Sequence, residues 1–186
     1  MKMNRRIILL LTLLFLFTGC ESEANPLTEE PRIYRALLMH LRAEKTVSLV
    51  IRAESISGER VIEGFDQLKI ETKEIKQSFI RNNSTPSLVP LSGKIFGQAV
   101  IISSRELEEI FKPSSLQQKW KNFYKKYPRS SGIMGLSRVG FNADTTKAVV
   151  YFENVCGKLC GNGYIAYLEK GWLGWKVERV AHLWIS

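Results

Sequence analysis

The residues whose types and spacing could do chemistry are few. Cys156 and Cys160 stand with three residues between them in the run Cys156-Gly157-Lys158-Leu159-Cys160-Gly161-Asn162-Gly163, and the chain has only two histidines, His40 and His182. Three chemistries are open to the cysteines: a structural disulfide, a redox pair, or part of a metal site. On an extended strand their Cα atoms would lie roughly 13 Å apart, whereas a disulfide needs less than about 7 Å, so the chain must bend for them to bond. Gly157, Gly161 and Gly163 are expected to supply the bend through their backbone freedom. A bridge across so short a loop acts as a local clamp, on the order of 2 kcal/mol. A redox pair of the usual kind needs a two-residue gap at a helix start, and zinc needs four ligands, of which two cysteines and His182 make three.

Hydrolytic chemistry finds little to work with. No Gly-x-Ser-x-Gly elbow, His-Glu-x-x-His pair or phosphate loop occurs, and two histidines leave few bases for a nucleophilic triad. The eighteen acids fall in no pattern that singles out a glycosidase pair. Arg138 is the one charge to watch. On a central strand facing a cavity its guanidinium could grip a carboxylate or phosphate, and otherwise it is an exposed strand arginine.

The elements that must position these residues are strands. Lys147 to Glu153 and Tyr164 to Glu169 alternate and are rich in aromatic and β-branched residues, so the cysteine run is a turn joining two strands. Ile133 to Phe141 reads as a strand before them, closed by the turn Asn142–Thr145. Lys170–Gly174 is a further turn into a last strand, Trp175–Val180, which His182–Ser186 extends. Four strands with short links make an antiparallel meander.

Helices come earlier. Thr28 caps a helix running to about Glu44, with Glu29, Glu30 and Pro31 in its first turn and Ile33, Tyr34, Leu37, Leu38 and Leu41 as its apolar stripe. Val47 to Glu54 alternates as a half-buried strand. Phe65, Leu68, Ile75 and Phe79 predict a helix over 61–81, against which β-branched Ile70 and Thr72 count. Asn82 to Gly93 is loop, and Gln98–Ile102 is a short strand. Ser103 and Glu106 form a capping box opening a helix over 104–111. Leu116, Trp120, Phe123 and Tyr127 give the stripe of another, from Ser115 to Pro128. The fold class is α+β, with helices upstream expected to cover one face of the meander.

The net charge of +9 falls to +6 without Lys2, Arg5 and Arg6, and that excess is spread along 186 residues. It forms no dense basic cluster, so nucleic acid is not expected as a partner. Lys2, Arg5 and Arg6 precede an apolar run from Ile7 to Phe17, too short to span a bilayer of about 30 Å but suited to a secretory signal. Phe17-Thr18-Gly19-Cys20 follows. This resembles the lipobox of bacterial lipoproteins, with Phe17 where leucine is commoner. The resemblance implies a cleaved signal over 1–19, an acylated Cys20, a lipidated tether over 20–27 and one α+β domain over 28–186. It also implies an extracytoplasmic body held by membrane lipid through Cys20, and Glu21 after the cysteine favours the outer membrane in a Gram-negative host. With Cys20 assigned to lipid, Cys156 and Cys160 are left as a natural pair in an oxidising compartment.

Tyr127-Pro128, Ser137-Arg138-Val139-Gly140-Phe141-Asn142, the cysteine run and Trp175-Lys176-Val177 together look like the pattern of small exported bacterial proteins with no assigned activity. The helix-plus-meander order is similar to NTF2-like or cystatin-like folds, which many functions share. The Cys-x-x-x-Cys spacing is similar to that of Sco-type copper proteins, although Gly161 replaces the proline after their second cysteine and the thioredoxin-like βαβ context is missing. The expectation is a lipid-anchored envelope protein, a binding or structural module without catalysis, cofactor or metal, whose partner is an anionic ligand at Arg138 or another envelope protein. The alternative is a redox-active or copper-handling envelope protein using Cys156 and Cys160.

Overall fold

The computed structural model describes residues 25–41, 48–70, 73–91 and 99–186. The signal segment, Cys20 and most of the tether lie outside the described residues, as do Glu44, Val47, Gly93 and Gln98, where predicted elements began or ended. Helix α1 (Pro26–Leu41) is followed by β1 (Ser48–Arg52), α2 (Glu59–Glu63), a 3-10 turn (Gly64–Leu68) and α3 (Lys73–Asn82). Then come β2 (Ala99–Ile102), α4 (Ser104–Ile110), α5 (Leu116–Lys126), β3 (Ser130–Leu136), β4 (Gly140–Phe141), β5 (Lys147–Gly157), β6 (Cys160–Gly171) and β7 (Gly174–Ile185). The fold is α+β, as the sequence pattern predicts, with the antiparallel meander in its C-terminal part.

The seven strands form one sheet in the order β2-β1-β3-β5-β6-β7, with β4 also beside β5. Strands β3 to β7 pair antiparallel, while β1 runs parallel to both β2 and β3. The helix-bearing crossover from β1 to β2 is what allows parallel pairing there.

Both faces of the sheet are covered, not one. Alternation along β5 sends Ala148, Val150 and Phe152 to one face, where Ile33, Tyr34, Leu37 and Leu38 of α1 meet them. Val149 and Tyr151 point to the other, under Val61, Phe65, Leu68, Ile75 and Phe79. Further along that second face, α4 and α5 lay Ile110 and Phe123 on Val50 and Ile133. The predicted helix over 61–81 is broken into two helices and a 3-10 turn, which ends at Lys69 in the left-handed region (φ 51°). As one rod it would be about 30 Å long. Breaking it gathers all five apolar residues over one patch of β5 and β6.

The strand predicted over 133–141 is also interrupted. Leu136 pairs with Phe152 and Gly140 with Val149, so Ser137, Arg138 and Val139 face two residues of β5 and form a one-residue bulge. Side chains from far away satisfy its backbone. Asn83, fully buried, bonds both the amide (2.8 Å) and the carbonyl (2.9 Å) of Arg138, while Asn82 donates to the Val139 carbonyl and the Val139 amide donates to Glu30 (3.0 Å).

Helix α1 starts two residues earlier than Thr28. Asn25 is the cap, its side chain accepting from the Leu27 amide (2.9 Å), and Pro26 takes the first helical position, where its missing N–H costs nothing. The consequence is that Glu29 and Glu30 are not surface acids but 3% exposed. Glu30 holds Arg138 through both oxygens (2.7 and 2.5 Å) and accepts from the Tyr34 hydroxyl (2.6 Å). Glu29 accepts from Trp175 Nε1 (2.6 Å), Lys170 (3.1 Å) and Arg32 (2.8 Å).

Burial pushes the Glu29 carboxyl up, but its bonds to Trp175 and Lys170 and the charges of Lys170 and Arg32 outweigh it and hold the group below its ordinary 4.5. A depressed carboxyl stabilises the fold above its unfolded value, and that stabilisation is lost as pH falls below 4.5. Glu29→Gln should therefore cost about 2 kcal/mol at pH 7. In urea unfolding the gap from the wild type should close in acid, and a gap that is the same at every pH would contradict this assignment.

Candidate functional site

The second face of the sheet carries a groove between its two helical groups. Val50 and Ile133 pair, Ile133 and Val155 pair, and Gly135 pairs with Glu153, so the β1–β3 register sets Arg52 beside Gly135 and in line with Glu153. Arg52 and Glu153 thus flank a residue without a side chain, across about 10 Å of sheet. Ile56 occupies the space that Gly135 leaves, since a Cβ there would lie 2.5 Å from Ile56 Cγ1. Next to this row, Leu107 of α4 and Phe111 just after it, Trp120 of α5, and Ile133 and Val155 of the sheet line an open, largely apolar cleft of about 350 Å³, with Arg52, Glu108 and Glu153 as its charged members.

The wall is firmly built. Ser103 Oγ caps α4 by accepting from the Glu106 amide (3.2 Å), but the Glu106 carboxylate does not return to Ser103; it takes Lys126 (2.7 Å) and the Tyr127 hydroxyl and ties α4 to α5. Those two bonds hold Glu106 below its ordinary value, and burial with the Glu106 bond pushes Tyr127 up to about 12. Trp120 is fixed edge-on between Phe111 (5.3 Å between ring centres) and Phe123 (5.4 Å).

Within this cleft one polar atom is unspent. Arg52 Nε is buried and has no hydrogen-bond partner among the described residues. A buried N–H without an acceptor costs on the order of 1–3 kcal/mol. Glu153 makes no bond to it; its carboxylate accepts instead from the Tyr151 hydroxyl (2.6 Å), which itself accepts from Trp184 Nε1 (3.0 Å). Burial, and then the Glu153 bond, push the Tyr151 phenol upward, so it stays a protonated donor.

Val155 also lines an open cleft of about 620 Å³ on its other side, with Arg60, Lys158 and Trp184, and the disulfide hairpin borders it. Cys156 and Cys160 are bonded, their Cα atoms 5.1 Å apart, across the two-residue turn Lys158–Leu159. The turn is tighter than the eight-residue run the sequence marks out. Its glycines serve a different purpose as well. Positive φ occurs at Gly58, Gly132 and Gly174, not at Gly157, Gly161 or Gly163. Gly161 and Gly163 make room for an indole: a Cβ would lie 3.1 Å from Trp184 Cζ3 at the first and 2.0 Å from Trp184 Nε1 at the second.

Arg138 lines a smaller cleft of about 200 Å³ with Pro26, Leu27 and Phe141. The carboxylate its guanidinium grips is that of Glu30, and a third N–H donates to Ser87 Oγ (2.9 Å). His40 is exposed on the last turn of α1, and the His182 ring lies against Tyr164 at 4.9 Å on β7, so neither is in the groove. Among the described residues no three His, Cys, Asp or Glu side chains are grouped as metal ligands. Arg52 is the residue that sequence reasoning passed over. It stands on the polar side of an alternating strand, which reads as solvent-facing only when the sheet is covered on one face.

Replacing Arg52 by methionine, which keeps the apolar stem and removes the stranded N–H, should leave the fold as stable or raise it by about 1 kcal/mol in urea unfolding. A loss of more than about 2 kcal/mol would show that Arg52 has a structural partner after all. No family model, no curated protein and no solved structure matches this chain.

Proposed function

We propose that this chain is a lipid-anchored, extracytoplasmic binding protein without catalysis of its own, and that its ligand is a small apolar molecule bearing one carboxylate, held at Arg52. The observation that carries the reading is an arginine on the cleft wall whose buried Nε–H has no acceptor among the described residues, beside a surface of leucine, isoleucine, valine and aromatic rings that also carries Glu108 and Glu153. The make-up of the cleft is that of a ligand site, a largely apolar lining with few polar groups that fix orientation, and its volume falls in the usual range. A carboxylate satisfies a guanidinium through two parallel bonds. Glu108 and Glu153 at the edges repel a second negative charge, which disfavours phosphates and polyacids.

The location is supported by the order of charge, apolar run, Thr18-Gly19 and Cys20 in the leader, and by the closed Cys156–Cys160 bond, which fits an oxidising compartment. Two measurements separate the parts of the reading. Mass spectrometry of the membrane-purified chain should find a fatty-acylated Cys20 at its N-terminus; a chain still beginning at Met1, or without acyl mass, defeats the location. Calorimetric titration of the full chain in lipid discs should show saturable binding of 3-phenylpropanoate, weaker binding of its uncharged amide, and at least a tenfold loss in Arg52→Met, the size expected for one charge-assisted contact of about 1.5–3 kcal/mol. Equal binding by wild type and variant defeats the ligand assignment. Copper bound to the purified protein, or a Cys156–Cys160 bond opened by mild reductant, would favour a redox or copper-handling role instead.

A further inference from the structure

We infer that the tip of the β6–β7 hairpin is a membrane-contacting surface, in which Trp172 and Leu173 enter the lipid interface beside the anchored N-terminus. This rests on the lipid-anchor reading and goes beyond it by fixing which side of the domain faces the bilayer.

The hairpin closes tightly. Lys170 pairs with Trp175 and Gly171 with Gly174, whose left-handed φ of 111° lets two residues make the turn. Those two residues are Trp172, 94% exposed, and Leu173, 81% exposed. Neither turn residue has a positive φ, so most residue types fit there, and nothing in the turn itself calls for an indole and an isobutyl group. Placed together at a protruding tip, they offer an apolar point that meets no other part of the described fold. An indole with its polar N–H is suited to the headgroup level, and leucine to the acyl boundary beneath it.

What identifies the occupant is where the chain begins. Glu29, in the first turn of α1, is bonded to Lys170 and Trp175, the last pair but one before the tip. The described chain therefore starts at the same end of the molecule as the hairpin tip. Cys20 lies five residues before Asn25 and can be at most about 18 Å from it. The tip projects about 7 Å beyond the Lys170–Trp175 pair. Acyl chains on Cys20 and the Trp172–Leu173 tip can thus sit in one bilayer surface at once, and Leu27, 69% exposed on the same first turn of α1, adds apolar surface between them. Three of the cations nearby are engaged: Lys170 and Arg32 hold Glu29, and Lys176 holds Glu178. The contact is therefore apolar insertion rather than attraction to anionic lipid, and it should persist in zwitterionic membranes at high salt.

The test uses the acylated full chain in vesicles of phosphatidylcholine brominated on its acyl chains, which quench tryptophan emission on contact. The wild type should show a quenched component that disappears in Trp172→Phe, an exposed substitution that leaves the fold intact, and that is unchanged between low and high salt. If wild type and Trp172→Phe are quenched alike, or neither is, in a chain whose acyl mass has been verified, this inference falls and the anchor stands. If the acyl mass is absent, the anchor falls and takes this inference with it.

Discussion

Two adjacent glutamates on one helix turn carry their charges into the interior, and the arrangement of the molecule follows from how those charges are met. Burying a carboxylate is costly unless it is paired and hydrogen-bonded. Glu29 is met by Trp175, Lys170 and Arg32, and Glu30 by Arg138, Tyr34 and the Val139 amide. The first set ties α1 to the β6–β7 hairpin and the second ties it to the bulge between β3 and β4. With its first turn pinned at two points, α1 can cross its face of the sheet in one position, and the described residues begin next to the hairpin.

The same accounting explains why the bulge exists. Arg138 and Val139 leave the strand ladder, and their backbone groups are taken over by Asn82, Asn83 and Glu30, while Ser137 still donates to the Tyr151 carbonyl and its Oγ accepts from the Tyr151 amide in place of a ladder carbonyl. A local break in pairing is repaid by side chains from two helices that are thereby fixed against the sheet. Against this background of satisfied groups, Arg52 Nε stands out. Arg138, in the bulge, and Arg52, on β1, are both partly buried guanidiniums, but among the described residues only the first is paired with a carboxylate. The difference in partners is what separates a structural arginine from one available to a ligand.

Much of this was legible in the sequence, and what was not has physical causes. The apolar stripe of α1 from Ile33 to Leu38, Phe123 at the centre of the α5 stripe, and the alternation of β5 to β7 are local, and the structure keeps them, while Leu41 and Leu116 are exposed. The sequence pattern places the cap of α1 at Thr28 because Asn25-Pro26 also suits a tether, and that three-residue difference hides the burial of Glu29 and Glu30. The bulge at Arg138 was invisible because its partners, Glu30 and Asn83, are remote in sequence. Asn83 looked like a loop residue and is fully buried. Gly161 and Gly163 were legible as necessary but for the wrong reason, since the indole of Trp184 that needs their space arrives from another strand. Arg52 could be found only once both faces of the sheet were known to be covered.

The claim on which the functional account depends is that Arg52 awaits an acceptor from outside the chain. The arginine Nε signals in a nitrogen-15 spectrum of the full chain report this directly, with the Arg52 signal assigned by its disappearance in Arg52→Met. On addition of 3-phenylpropanoate the account predicts that the Arg52 signal moves saturably while that of Arg138, held by Glu30, stays in place. An Arg52 signal that does not move, or an Arg138 signal that moves in its stead, would contradict it.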